Sequence, residues 1–223
     1  MKYRHEWKFE ISSRERLILR TRLSRVMKHD RHARKGTYRI RSLYFDTLTD
    51  KALREKIDGV NTREKFRIRY YNDDLSYIQL EKKSKINGLC AKRSTPISVE
   101  IVQAILAGDY AILCESNDPL IIEFYTKLVA GGLRPKTIVE YTREPFVFAP
   151  GNVRITLDYN IRSGLFNTDF LNPESVTVSA GDPHIILEVK WDEFLPDIVR
   201  DALQVETPQS GAFSKYAACR IYG

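Results

Sequence analysis

Cysteine is scarce: three in 223 residues, Cys90, Cys114 and Cys219, scattered and at no metal-ligand spacing. That excludes a disulfide framework and a thiolate zinc site, and the three read as reduced, partly buried thiols. No apolar run approaches the roughly 20 residues that a spanning helix needs. The opening Met1-Lys2-Tyr3-Arg4-His5-Glu6 is charged at once, with no apolar signal segment. A soluble cytoplasmic chain with no direct membrane insertion is therefore expected. There is no Gly-rich phosphate loop, Gly-x-Ser-x-Gly elbow or His-Glu-x-x-His motif, which leaves nucleophilic catalysis by Ser or Cys without support. His5, His29, His32 and His184 fall in different segments and read as surface or structural residues. Without repeats, low-complexity tracts or a long linker, one domain over residues 1–223 is the expectation.

What is present is charge. Lys and Arg number 36 against 29 Asp and Glu, a net +7 that makes a polyanionic partner plausible. The segment Tyr3–Ile11 alternates, with Glu6, Lys8 and Glu10 opposite Trp7, Phe9 and Ile11, which predicts a strand. Ser12 with Glu15 makes a capping box before the stripe Leu17, Ile18, Leu19, Leu23, Val26 and Met27. Strands are expected over Arg39–Asp46, Lys65–Tyr71, Tyr77–Lys83, Leu89–Thr95, Lys136–Phe148, Val153–Asn160 and His184–Trp191. Turns are expected at Asn72-Asp73-Asp74, Asn87-Gly88 and Pro150-Gly151-Asn152. Helices are expected over Asp50–Asp58, Ser98–Ala107, Pro119 to Gly131, Phe194–Leu203 and Gly211–Tyr222. Strands in hairpin order interrupted by a few helices indicate an α+β architecture around an antiparallel sheet or barrel.

The polar side of strand after strand carries long cations. Lys8, Lys65, Arg67, Arg69, Lys83, Lys92, Arg143, Arg154 and Lys190 share that parity with Glu6, Glu10, Glu81, Asp158 and Glu188. Trp7, Phe66, Tyr70, Leu80, Ile155, Leu157, Leu187, Val189 and Trp191 take the other side and suit packing against helices. A single strand of this kind is a solvated face. The same pattern in five or six strands points to a polyanion site, because isolated buried cations cost several kcal/mol each. Aromatics on the parity opposite the cations, Tyr141 excepted, argue against nucleic acid, whose bases need stacking platforms among the cations.

At these residues the sequence resembles the VTC (vacuolar transporter chaperone) domain, the polyphosphate polymerase branch of the triphosphate tunnel metalloenzymes. The matching blocks are Glu6-Trp7-Lys8-Phe9, Ser42-Leu43-Tyr44-Phe45-Asp46, Arg63 to Tyr71, and Leu80-Glu81-Lys82-Lys83-Ser84. Tyr141-Thr142-Arg143-Glu144-Pro145-Phe146, Val153 to Asp158, Ile186-Leu187-Glu188-Val189-Lys190 and Phe213-Ser214-Lys215-Tyr216 follow in family order. The resemblance implies an eight-stranded antiparallel β-barrel tunnel with flanking helices that takes ATP, triphosphate or polyphosphate with Mn²⁺ or Mg²⁺. It implies phosphate binding by Lys8, Arg67, Arg69, Lys83, Lys92 (or Arg93, if the alignment slips by one), Arg143, Arg154 and Lys190, with hydroxyls from Tyr141 and Ser214. Arg67, Arg69, Arg143, Arg154 and Lys215 would serve the chemistry, and Glu188 with Glu6 the metal.

On this reading Arg67 and Arg143 belong to the cage and not to the core, so alanine at either is expected to leave the fold intact. The implied activity is polyphosphate polymerase; an inorganic or nucleoside triphosphatase of the same fold, or a non-catalytic polyphosphate-binding module, are the alternatives. Two positions depart from the family. Arg4 stands where related hydrolases and cyclases have Glu, and Ala212 stands where the eukaryotic polymerase has Lys. The chain also lacks the inositol-phosphate-sensing domain and membrane segments of eukaryotic members, which leaves open a membrane partner encoded elsewhere.

Overall fold

Cap residues and alternation set the elements. A computed structural model describes residues 5–33, 35–86, 89–181, 183–205, 209–210 and 213–221. Its eight long strands are β1 (His5–Ile11), β2 (Tyr38–Asp46), β3 (Arg63–Tyr71), β4 (Asp74–Ile86), β5 (Leu89–Ile97), β6 (Arg134–Phe148), β7 (Val153–Ser163) and β8 (Ile185–Trp191). The helices are α1 (Ser13–Val26), α2 (Lys51–Ile57), α3 (Val99–Ala107), α4 (Ala111–Cys114), α5 (Pro119–Val129), α6 (Asp197–Ala202) and α7 (Lys215–Ile221). This is the expected α+β class, an antiparallel sheet flanked by helices. None of these helices is long and apolar enough to cross a membrane.

The chain divides into two compact units. The first comprises Met1–Arg39, Tyr141–Ile161 and Gly181–Ser214. There β1 pairs with β8 and β8 with β7, next to the second half of β6. The register aligns Lys8 with Glu188, Glu6 with Lys190, and Lys190 with Arg154. The helix-covered face of this sheet and α1 and α6 bury Ile11, Leu19, Leu23, Phe146, Ile155, Leu157, Leu187, Val189 and Val199. The Ser12–Glu15 capping box forms as expected, with Glu15 N–H donating to Ser12 Oγ at 3.2 Å and Ser12 N–H to Glu15 Oε2 at 2.8 Å. Leu17, in the expected apolar stripe, points outward instead; Leu19, Leu23 and Met27 are its buried members.

The second unit comprises Ile40–Glu140, Arg162–Ala180 and Lys215–Gly223. Its strand order is β6-β2-β3-β4-β5. Phe45, Phe66, Ile68, Tyr70, Leu80, Ile105, Leu120, Phe124 and Leu128 make its core, closed by α3, α4 and α5. Phe124 stands edge-on to Phe45 at 4.9 Å and stacks on Phe66 at 5.3 Å.

Boundaries differ where turn chemistry decides them. β4 begins at Asp74, not Tyr77, because Asn72 and Asp73 both take left-handed φ (51° and 59°) and turn the chain in two residues. α6 begins at Asp197, not Phe194, because the Pro196 ring disfavours helical backbone at Leu195. The short α4 escaped notice, since four residues carry no periodicity. The Asn87-Gly88 turn, Asp182, Gly211, Ala212 and Tyr222 lie outside the described residues. Gly151 (φ 69°) is required, since a Cβ there would stand 2.3 Å from the Phe194 carbonyl oxygen. Cys90 and Cys114 are exposed and only Cys219 is buried, where burial pushes its thiol up to about 12.

Phe124→Ala should lower unfolding free energy by about 3–5 kcal/mol, because it empties the contact of two buried rings. Urea denaturation checks this; a loss below about 1 kcal/mol would mean that the aromatic cluster is not the centre of its core.

Candidate functional site: two charged sheet faces

The face of each unit's sheet opposite the helices carries the predicted site residues of the strands. In the second unit the register builds three rows across β3, β4 and β5: Lys65–Lys83–Lys92, Arg67–Glu81–Ser94 and Arg69–Gln79–Pro96. β2 adds Ser42 beside Arg69 and Tyr44 beside Arg67. These three rows thus hold five cations and one carboxylate, Glu81. Its Oε2 accepts from Arg67 Nε at 2.6 Å, and its Oε1 meets Lys92 Nζ at 2.5 Å. Arg69 Nη1 lies 3.9 Å from it. Burial alone would raise the Glu81 carboxyl; Arg67, Arg69 and Lys92 outweigh burial and hold it well below the carboxylate range.

Tyr44 was not anticipated. Its phenol oxygen accepts from Arg67 Nη1 at 2.8 Å, and the ring stacks on Tyr216 at 4.9 Å. Burial opposes its ionisation, but Arg67, Lys65 and Arg69 bring the phenol down to about 8. Tyr71 is lowered in the same way, against burial, chiefly by Arg69. Two tyrosines therefore stand among the cations, which corrects the expectation that Tyr141 is the sole aromatic there. Tyr44 is buried, so its face is not free to stack on a base. The signal for Tyr44 was its parity with Ser42 in Ser42-Leu43-Tyr44, legible once β2 is placed beside β3. Arg93, the alternative to Lys92, takes the opposite face and pairs with Glu123 on α5 at 2.9 Å.

The first unit is richer in carboxylates. Asp158, fully buried, accepts two parallel bonds from Arg143, at 2.6 and 2.7 Å. Glu188 lies within 3.4 Å of both Arg143 Nη2 and Lys8 Nζ and 3.1 Å from Lys190 Nζ. Lys8 also pairs with Glu6, so one ammonium bridges two carboxylates. Burial would lower the Lys8 ammonium, yet Glu188 and Glu6 raise it above the usual lysine range. Lys190 is lowered, first by burial and then by Arg143. The Arg143 guanidinium sits 5.5 Å from the Tyr141 ring centre. Arg154 donates to the Tyr38 phenol oxygen at 2.7 Å and meets Asp30 at 3.0 Å. Asp30 follows Lys28–His29, which pairs with Phe146–Val147.

The motif at the start of α7 has a structural part. Tyr216 donates to Asp46 Oδ2 at 2.7 Å, and Asp46 also accepts from the Ala52 and Leu53 amides of α2. Lys215 opens α7 in the second unit and is half-buried; Ser214, also half-buried, belongs to the first. Ala212 and Arg4 lie outside the described residues.

Among the described residues no group of three or more His, Cys, Asp and Glu could enclose a metal. The donors of the first unit nevertheless fit Mn²⁺ or Mg²⁺, which take one or two protein carboxylates and complete their shell with substrate oxygens and water. Glu188 and Glu6 share one ammonium, and the buried Thr156 hydroxyl, opposite Glu188 in register, has no hydrogen-bond partner among the described residues.

A family model described as the VTC domain matches residues 3–221. No curated protein matches the chain. Among solved structures, it is similar to a candidate adenylyl cyclase from Hippeastrum reported with a dominant triphosphatase activity. That match has a TM-score of 0.61 at 17% identity, over 97% of this chain and 94% of that one. A candidate adenylate cyclase from Bacillus halodurans matches with a TM-score of 0.51 at 12% identity, over 85% of this chain and 80% of that one. At such identities the likeness shows a shared fold.

The geometry revises the expectation that alanine at Arg143 or Arg67 spares the fold, since each guanidinium neutralises a buried carboxylate. Arg143→Ala should cost about 3–5 kcal/mol by taking two charge-assisted bonds from the fully buried Asp158. Arg154→Ala, whose side chain is 37% exposed, should cost under about 1 kcal/mol. Equal losses in chemical denaturation would contradict this ranking. Alkaline absorbance titration should show one phenol ionising near pH 8 that Tyr44→Phe removes. Because that pKa is depressed in the fold, its contribution to stability is complete above the unfolded value of about 10 and is lost as pH falls through about 8.

Proposed function

Since the chain belongs to the VTC domain family, we propose that it is a metal-dependent polyphosphate polymerase, moving the γ-phosphate of ATP onto a growing polyphosphate chain. The observation that carries the reading is the set of three rows in the second unit, with five cations gathered around the single carboxylate Glu81. Such an excess calls for an extended anion, and base stacking finds no free aromatic face at Tyr44.

Phosphoryl transfer asks a protein mainly for in-line positioning and for neutralisation of charge on the phosphate oxygens. In the proposed reaction a terminal oxygen of the polyphosphate chain bonds to the γ-phosphorus while the bond to the β,γ-bridging oxygen breaks, and ADP leaves with that electron pair. Arg67 and Arg69 offer planar forks to phosphate oxygens, held in orientation by Glu81 and Ser42. Lys65, Lys83 and Lys92 add point charges along the same face. In the first unit Arg143, Arg154, Lys8 and Lys190 do the same, with Arg143 fixed by Asp158. The Tyr141 and Ser214 hydroxyls are proposed phosphate donors, and Lys215 a further cation on the transferring group. Glu188 and Glu6 would hold Mn²⁺ or Mg²⁺, which when bound supplies further neutralisation of phosphate charge.

A second reading has water in place of the chain end, giving a triphosphatase. Its support is the shared fold with the Hippeastrum protein, reported with a dominant triphosphatase activity.

Purified protein given ATP and Mn²⁺, with and without a pyrophosphate primer, should yield a ladder of long chains on a polyphosphate gel. Orthophosphate alone would replace the polymerase by the triphosphatase, and tight polyphosphate binding without turnover would leave a binding module. Chelation and Glu188→Gln should each abolish turnover, and Arg69→Ala should slow it by about 10²–10³-fold. Unchanged activity of Glu188→Gln at saturating Mn²⁺ would remove that residue from the site.

A further inference from the structure

Tyr44 stands on the charged face of the second unit, beside Arg67 in register, and its side chain is buried. Its phenol oxygen accepts from Arg67 Nη1 at 2.8 Å, but its own proton has no acceptor among the described residues. Other buried phenols of this unit are satisfied. Tyr70 donates to the Phe170 carbonyl at 3.0 Å, and Tyr216 donates to Asp46 at 2.7 Å. A buried donor left unused costs free energy, so its partner has to be sought.

The groups around the phenol explain why the described chain offers none. From β3, Lys65, Arg67 and Arg69 act on it, with the Lys65 ammonium 5.7 Å from the ring centre, and lysine and arginine can only donate. From α7, Tyr216 stacks on the ring face with 20° between the planes and keeps its own hydroxyl on Asp46. The carboxylates of the neighbouring strands have other partners. Glu81 of β4 takes Arg67 Nε and Lys92, and Glu140 of β6 takes Arg41. Lys136 of β6 pairs with Asp50. The hydroxyl hydrogen thus stands among cations, and an oxygen of an anion drawn to those cations would complete it.

We propose that Tyr44 is a further phosphate-binding residue, whose hydroxyl donates to an oxygen of the anion held by Arg67 and Arg69 while its oxygen keeps Arg67 Nη1 in place. This rests on the reading of those rows as a phosphate site and adds to it a neutral donor that senses pH. The contact requires the protonated phenol. Since the three cations bring that phenol down to about 8, the donor is lost and a negative charge appears as pH rises through that value. A bound phosphate opposes the ionisation in turn and moves it to higher pH.

The test is calorimetric titration of inorganic triphosphate, in neutral Mg²⁺ buffer, into the whole chain and into Tyr44→Phe, Arg67→Lys and the double variant. Phenylalanine keeps a ring against Tyr216, and lysine keeps a cation against Glu81. Tyr44→Phe is expected to weaken binding about tenfold, and by a similar factor when Arg67 is already lysine. An effect that vanishes in the Arg67→Lys background reduces Tyr44 to a support for Arg67 and overturns the proposal. So does Tyr44→Phe binding within about twofold of the unaltered protein. A second measurement needs no variant: triphosphate should move the phenol ionisation near pH 8 upward in absorbance titration. A transition that stays in place while triphosphate binds overturns the donor and leaves the phosphate site standing. Failure of the unaltered protein to bind triphosphate overturns the phosphate site and the part of Tyr44 with it.

Discussion

The structure depends on the neutralisation of buried guanidinium groups. Arg67, buried, and Arg143, partly buried, lie on the charged faces of their sheets, and each is held by a carboxylate that is itself buried, Glu81 and Asp158. Removing either member deprives an ion of a principal partner, and the other cations arrange around these pairs. Arg69 is oriented by Ser42 and by the same Glu81; Lys92 converges on Glu81; Lys8 and Lys190 converge on Glu188. The forks are therefore held in orientation by groups of the protein itself, which on the proposed reading limits the reorganisation that phosphate binding demands.

The charged faces of the two units differ in balance. The first places Glu6, Asp158 and Glu188 among Lys8, Arg143, Arg154 and Lys190, a near balance of sign. The second sets five cations in three rows with Glu81. Both sheets turn their apolar side to helices, and neither core contains a residue assigned to the chemistry. Asp46 and Tyr216 act differently from the cations near them. Their bond ties α7 to the end of β2 and to the start of α2, and Tyr216 stacks on Tyr44, which in turn steadies Arg67.

Much of this was legible in order of strength of local signal. The Ser12–Glu15 box, the Ser98 and Asp118 caps and the Gly108 stop mark helices because their side chains or backbone satisfy orphaned groups within a few residues. Period-two alternation marked β1, β3 and β8. Less legible were the starts of β4 and α6, which depended on the left-handed pair Asn72–Asp73 and on Pro196 acting through Leu195. The choice between Lys92 and Arg93 was open in the sequence, since a shift of one residue moves a side chain to the opposite face.

The sequence by itself determined the elements and the parity that puts cations on one face and large apolar groups on the other, because each is written in spacing along the chain, and its motif blocks carried the family resemblance. Tertiary structure alone decided which charges meet. Arg143 with Asp158, Tyr44 with Arg67, and Lys8 between Glu6 and Glu188 follow from strand order and register, which bring together residues from separate strands.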